Sequence, residues 1–118
     1  MSAETILYDA LTAAAGIESL VSDRIYPGLL PQGKPLPAIV YLRSDTEYVT
    51  TIHSSTPRGS RVEMEAWGIA GTNGAAEAIG DAIEAALATA LLVPFARRAE
   101  IDPETDSHSS IISCVVWL

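Results

Sequence analysis

Arg61-Val62-Glu63-Met64-Glu65-Ala66-Trp67-Gly68-Ile69 alternates with a period of two. Val62, Met64 and Ala66 fall on one side, and Arg61, Glu63, Glu65 and Trp67 on the other, which is the signature of a β-strand with one dry and one wet face. The dry face needs a covering layer, and the flanking sequence supplies one. After the turn Gly71 to Gly74, the stretch Ala75 to Leu92 has helical spacing, with Thr72 or Asn73 as its cap and Glu77 in its first turn. Ile79, Ile83, Leu87 and Leu91 recur every four residues and are expected to form its buried ridge. The many alanines permit close approach to a sheet, and Pro94 is expected to stop the helix.

Further out the same logic continues. Phe95 to Asp102 and Ser109 to Leu118 read as two strands joined by the polar turn Pro103 to His108. On the N-terminal side, Ala38 to Asp45 reads as a strand. Glu47 to Gly59, rich in Thr and Ser, reads as a mobile loop or a long hairpin. Asp23 to Pro37 holds four prolines and two glycines, so it reads as an extended arm anchored by Ile25 and Tyr26. Ser2 to Ala15 reads as a helix capped by Ser2 and stopped near Gly16, with Ile17 to Val21 adding a short turn. The expected fold is α+β: two helices on one face of a mainly antiparallel four-stranded sheet, in the order α-β-β-α-β-β, as a single domain over residues 1–118.

Composition narrows the function. Of 118 residues, 48% are apolar and 19% charged, as in a globular chain. Fifteen acidic against seven basic residues give a formal charge of −8. That argues against nucleic-acid binding, which needs basic groups to displace counterions, and against docking on an anionic membrane. The first basic residue is Arg24, and the longest near-apolar run, Ala85 to Ala96, contains Thr89 and Pro94, so neither an export signal nor a membrane span is expected. The single cysteine, Cys114, excludes an intrachain disulfide and a cysteine-based zinc cluster.

Each candidate for chemistry has a plainer explanation. Gly28-Leu29-Leu30-Pro31-Gln32-Gly33-Lys34-Pro35 follows the phosphate-loop pattern up to its last position. There Pro35 replaces the hydroxyl residue that would hold magnesium. Asp102, Glu104 and Asp106 alternate like a calcium loop, but Ser107 and Ser113 stand where glycine and glutamate are required, and a hairpin turn is expected instead. Glu63 and Glu65 share a strand face as a catalytic pair does, but Arg61 shares that face and neutralises part of their charge, and few aromatic residues are present to line a sugar cleft. Cys114 alternates with Ile112 and Val116 as an inert core thiol, and pairing with His108 follows no spacing rule. No catalytic residue, cofactor site or metal site is expected.

Val21-Ser22-Asp23-Arg24-Ile25-Tyr26-Pro27-Gly28, then Pro31-Gln32-Gly33, then Leu36-Pro37-Ala38-Ile39-Val40-Tyr41, resembles the signature of the tail-completion proteins, or tail terminators, of long-tailed bacteriophages, prophages and gene transfer agents. Arg61 to Trp67 is similar to that family's next strand, and the Ala-rich helix follows in place. The resemblance marks Asp23, Arg24, Ile25, Tyr26, Pro27, Arg61 and Trp67 as motif positions. It implies a non-enzymatic virion protein at the tail–head junction. Such proteins form a ring, usually a hexamer, on the head-proximal end of the tail tube, stop its growth and join it to the head connector. The partners implied are further copies of the chain, the tail-tube protein and a connector or stopper protein, with DNA passing through the lumen unbound. Glu63, Glu65, Tyr48 and His53 are candidates for the subunit or tube interface. The alternatives are another neck component, adaptor or stopper, and a small non-catalytic ligand-binding or regulatory module.

Overall fold

The structure, a computed structural model, describes residues 2–33, 35–49 and 59–118. Three helices, α1 (Ala3–Thr12), α2 (Ala15–Val21) and α3 (Asn73–Thr89), cover one face of a five-stranded sheet. The strands are β1 (Ile25–Pro27), β2 (Ala38–Val49), β3 (Gly59–Ala70), β4 (Val93–Asp102) and β5 (Ser107–Trp117), in the spatial order β1-β2-β3-β5-β4. The α+β class and the placement of helices on one face match the sequence reading. The counts do not: there are three helices and five strands, and the sheet is mixed.

Each difference has a local cause. The first helical stretch breaks at Ala14, whose backbone is extended, rather than at Gly16. The break redirects the chain so that Ile17 and Val21 of α2 bury with Leu7 and Leu11 of α1. The Pro-rich segment is not only an arm, because its start forms β1, which pairs in parallel with β2 through Ile25 and Ile39. Pro27 is tolerated there because an edge strand can lose a donor without breaking a ladder. Ile39 N donates to Arg24 O at 2.9 Å and Gly28 N to Tyr41 O at 2.8 Å, binding both ends of β1 to β2. β2 and β3 run further than expected, into the proposed loop at 47–59. Residues 50–58 of that loop, His53 among them, lie outside the described residues.

The inner face of β3 is dry throughout: Val62, Met64 and Ala66 are fully buried, as the alternation requires. They meet Ile39 and Tyr41 of β2, Ile112, Cys114 and Val116 of β5, and Ile79, Ile83 and Leu87 of α3. Burial pushes the Cys114 thiol up to about 11. The helix comes unusually close at Gly68 and Gly80. A Cβ on Gly68 would stand 2.5 Å from Ile79 Cγ2, and one on Gly80 would run into Ser110 Oγ and Arg97. Arg97 reaches across from β4 to clasp the exposed side of α3, bonding Glu77 Oε2 at 2.6 Å and Asp81 Oδ1 at 2.9 Å. At the other end of the layer, Arg43 of β2 holds Glu4 of α1 through two bonds, at 2.8 and 2.9 Å. The Arg43 hydrogen bonds hold the Glu4 carboxyl below its ordinary range.

Leu91 overturns the ridge expected for α3. The helix ends at Thr89, and Leu91 takes φ +60° with its side chain 88% exposed. Leu92 N donates to Leu87 O at 2.9 Å and Leu91 N to Ala88 O at 3.2 Å, the paired bonds of a Schellman terminus. The reversal turns Leu92 onto the core in place of Leu91. The long hairpin stretches the chain to 52 × 30 × 23 Å, with a Cα radius of gyration of 15.2 Å, beyond the 13–14 Å of a round domain of this length.

Two substitutions test this packing by denaturant unfolding. Gly68→Ala forces Ile79 to move and should cost about 1–3 kcal/mol. Leu91→Gly relieves a left-handed residue at an exposed helix end and should add about 0.5–1 kcal/mol.

Candidate functional site

The sheet face away from the helices is where β3 places its charged residues. Arg61, Glu63, Glu65 and Trp67 alternate along this outer face, all half-buried. They are bound into a network rather than left free in water. Arg61 Nη1 donates to Glu63 Oε1 at 2.6 Å, and the Arg61 guanidinium sits 5.9 Å from the Phe95 ring centroid. Trp67 Nε1 donates to Glu65 Oε1 at 3.2 Å. Arg98, from β4, donates to Glu65 Oε2 at 3.1 Å and lies 5.6 Å from the Trp67 ring centroid. Glu65 therefore accepts from a tryptophan and an arginine at once, and Arg98 is held by both ion pairing and its stacking on the indole.

Register explains how β4 reaches β3 across β5. Trp67 pairs with Ile111 of β5, and Ile111 pairs with Arg98 of β4. Arg98 thus lies two strands from Trp67 on the same face, close enough for long side chains to meet over Ile111, which is completely buried. Sequence reading missed Arg98 and Phe95 as members of the site. The strand from Phe95 to Asp102 was legible, but the order β3-β5-β4 that brings it beside Trp67 was not.

The motif positions divide between frame and surface. Ile25 is a core residue. Asp23 is exposed in the turn before β1, Tyr26 is half-buried opposite Val40, and Pro27 is exposed where β1 ends. Arg24 Nε donates to Pro37 O at 2.7 Å, drawing together the two ends of the arm. These residues build the base of the arm, whereas Arg61 and Trp67 belong to the outer face. Glu63 and Glu65 join them there. Tyr48, paired with Ser60, is 66% exposed on the opposite side of the hairpin, so it does not join this cluster.

The arm then passes over one end of the outer face. Leu30 and Leu36 line a cavity of about 600 Å³ with Trp67, Ile69 and Ile101, rimmed by Glu100 and Asp102. Asp102 Oδ1 accepts from Glu104 N at 3.0 Å, so that carboxylate serves the β4–β5 turn. Another cleft, of about 730 Å³, lies between α1 and α3 and is lined mostly by alanines. Among the described residues no three metal-ligating side chains converge, and no helix is long and apolar enough to cross a membrane. The described arginines all have partners within the chain: carboxylates for Arg43, Arg61, Arg97 and Arg98, and a carbonyl for Arg24. The surplus acid is left to define the surface, with Asp45 and Glu47 beside Glu63 and Arg61 on the outer face.

The outer sheet face is thus charged, aromatic and tied together by its own ion pairs. The family model described as "Tail completion protein gp17" matches residues 5–117. The chain belongs to this family. It is a phage tail-completion protein, a structural component of the tail. No curated protein matches it. Among solved structures, a chain from the "Virion of native gene transfer agent (GTA) particle" is similar, with a TM-score of 0.73 and 18% identity. The match covers 98% of this chain and 93% of that one. The likeness speaks for the fold of the tail-completion protein.

The network predicts a separation of stability from local structure. In a Trp117→Phe background, Arg98→Ala should cost under about 1 kcal/mol, because the pair is half in water. It should nevertheless red-shift Trp67 emission, because the indole loses its cover.

Proposed function

We propose that this tail-completion protein is the tail terminator. It forms a ring, a hexamer, on the head-proximal end of the tail tube, stops tube polymerisation and presents the surface that joins the head connector or stopper. Family membership over residues 5–117 carries the reading. In this reading the protein sits at the tail–head junction of the virion, with the tail-tube protein on one side and the connector on the other.

Shape and charge support it. Six bodies about 30 Å wide, set in a circle with the 52 Å axis along the passage, leave a hole roughly 30 Å across before loops narrow it. A DNA duplex passes such a hole. Each copy carries −8, and the described arginines are already engaged within the subunit, so the ring is strongly acidic. An acidic lumen repels phosphates and lets DNA slide without sticking. The charge that argues against a DNA-binding protein is thus suited to a DNA conduit.

Electron microscopy of particles from a deletion strain tests the proposal. Overlong or unjoined tails are expected, with normal length and joining restored by the wild-type gene. Tails of normal length that carry finished ends would overturn it.

A further inference from the structure

The outer face has two apolar ends. At the Arg61 end, Val93, Phe95 and Trp117 are exposed, and Arg61 and Glu63 balance each other, so no charge there selects a partner. The Trp67 end differs in shape and in charge.

There the arm leaves a cavity of about 600 Å³ against the sheet. That is the size of a ligand cleft, ~300–1,000 Å³, and far more than a packing defect. Its apolar walls are Leu30 and Leu36 of the arm, Trp67 and Ile69 of β3, and Ile101 of β4. Leu29 faces away from it and is 82% exposed, so the arm turns only part of itself inward. The bond from Arg24 Nε to Pro37 O, at 2.7 Å, holds the two ends of the arm together and fixes this wall before anything binds.

The polar side of the cavity is acidic. Glu100 and Asp102 line it, and Glu104 and Asp106 follow in the adjoining turn. No described basic residue lines it. Arg98 bonds Glu65 at 3.1 Å and reaches Glu100 only at 3.5 Å. Asp102 commits one oxygen to Glu104 N. Among the described residues no cation pairs with Asp102, Glu104 or Asp106. Glu100 and Asp102 therefore each keep an oxygen for a donor from outside the subunit.

An anion or a nucleic acid is repelled by such a rim, and a wholly apolar group leaves the carboxylates stranded. A side chain with an apolar stem and a cationic head suits both parts. Its methylenes lie against Trp67 and Ile69 while its head meets Glu100 and Asp102. Copies of this chain are poor donors of that group, because the described arginines already have partners within the subunit.

We infer that this cavity receives a basic side chain, flanked by apolar residues, from another component of the tail. The inference rests on family membership and not on the ring or on termination, so those readings can fail without it.

Two measurements test it. In the Trp117→Phe background, a blocked leucine-arginine-leucine peptide should shift Trp67 emission to the blue and saturate, and leucine-glutamate-leucine should not. Glu100→Gln with Asp102→Asn should weaken the arginine peptide about fivefold or more, and about 0.5 M salt should weaken it likewise. Circular dichroism should be unchanged, since an asparagine can still accept from Glu104 N. Equal binding of both peptides, or binding of neither, would overturn the inference. In the deletion strain, Glu100→Lys should leave tails unfinished, and suppressors should exchange a basic for an acidic residue in another tail gene. Normal particles would overturn it. So would suppressors at Lys34 or Arg58, which would put the cation in this chain; the length of tails made without the protein still decides termination separately.

Discussion

Helix α3 lies against β3 and β5 at a separation that only two glycines allow. Gly68 leaves room for Ile79, and Gly80 leaves room for Ser110 and Arg97. The rest of the subunit follows from that close approach. It lets Ile79, Ile83 and Leu87 reach the fully buried row of Val62, Met64 and Ala66, so a single helix seals the middle of the sheet. α1 and α2 then need only cover the β1–β2 side. Close packing of this kind forfeits dispersion and gains strain when a methyl group is added or lost, so the two glycines control the layer as strictly as the large residues do.

Sealing one face leaves the other to the solvent or to a partner. The outer face is built to be rigid there: Arg61 with Glu63, and Glu65 with both Trp67 and Arg98, tie β3 to itself and to β4. Such half-exposed ion pairs add little to stability. Their effect is to hold long side chains in fixed positions and to use up positive charge, so the subunit's surplus acid stays on its surface. Aromatic and aliphatic groups that have no place in the core collect at the Arg61 end of this face. For a structural component of the tail, a stiff face with a defined apolar patch lowers the ordering cost of any contact made there.

The alternation of residues 61–69 and the four-residue recurrence in α3 are local properties of the chain, set by where consecutive side chains point along a strand or a helix. They made legible the α+β class, the one-sided helical cover and the wet face carrying Arg61, Glu63, Glu65 and Trp67. The family signature from Val21 to Tyr41 was equally local, and it brought the family with it. β1 escaped notice because three residues beside four prolines make no periodic pattern, and its pairing with Ile39 depends on a segment some fourteen residues away. Leu91 was misplaced because helical spacing continues past the point where the backbone reverses. Only the Schellman bonds from Leu91 and Leu92 show that it does.

What the sequence determined by itself, then, was which faces are dry, how acidic the chain is and which family it belongs to, because each depends on residue type and near-neighbour spacing. The tertiary structure alone decided that Arg98 covers Trp67, that Phe95 and Trp117 share a patch, and that the arm turns Leu29 outward. Those contacts depend on strand order and register between distant segments, and no side chain carries that information until the sheet has formed.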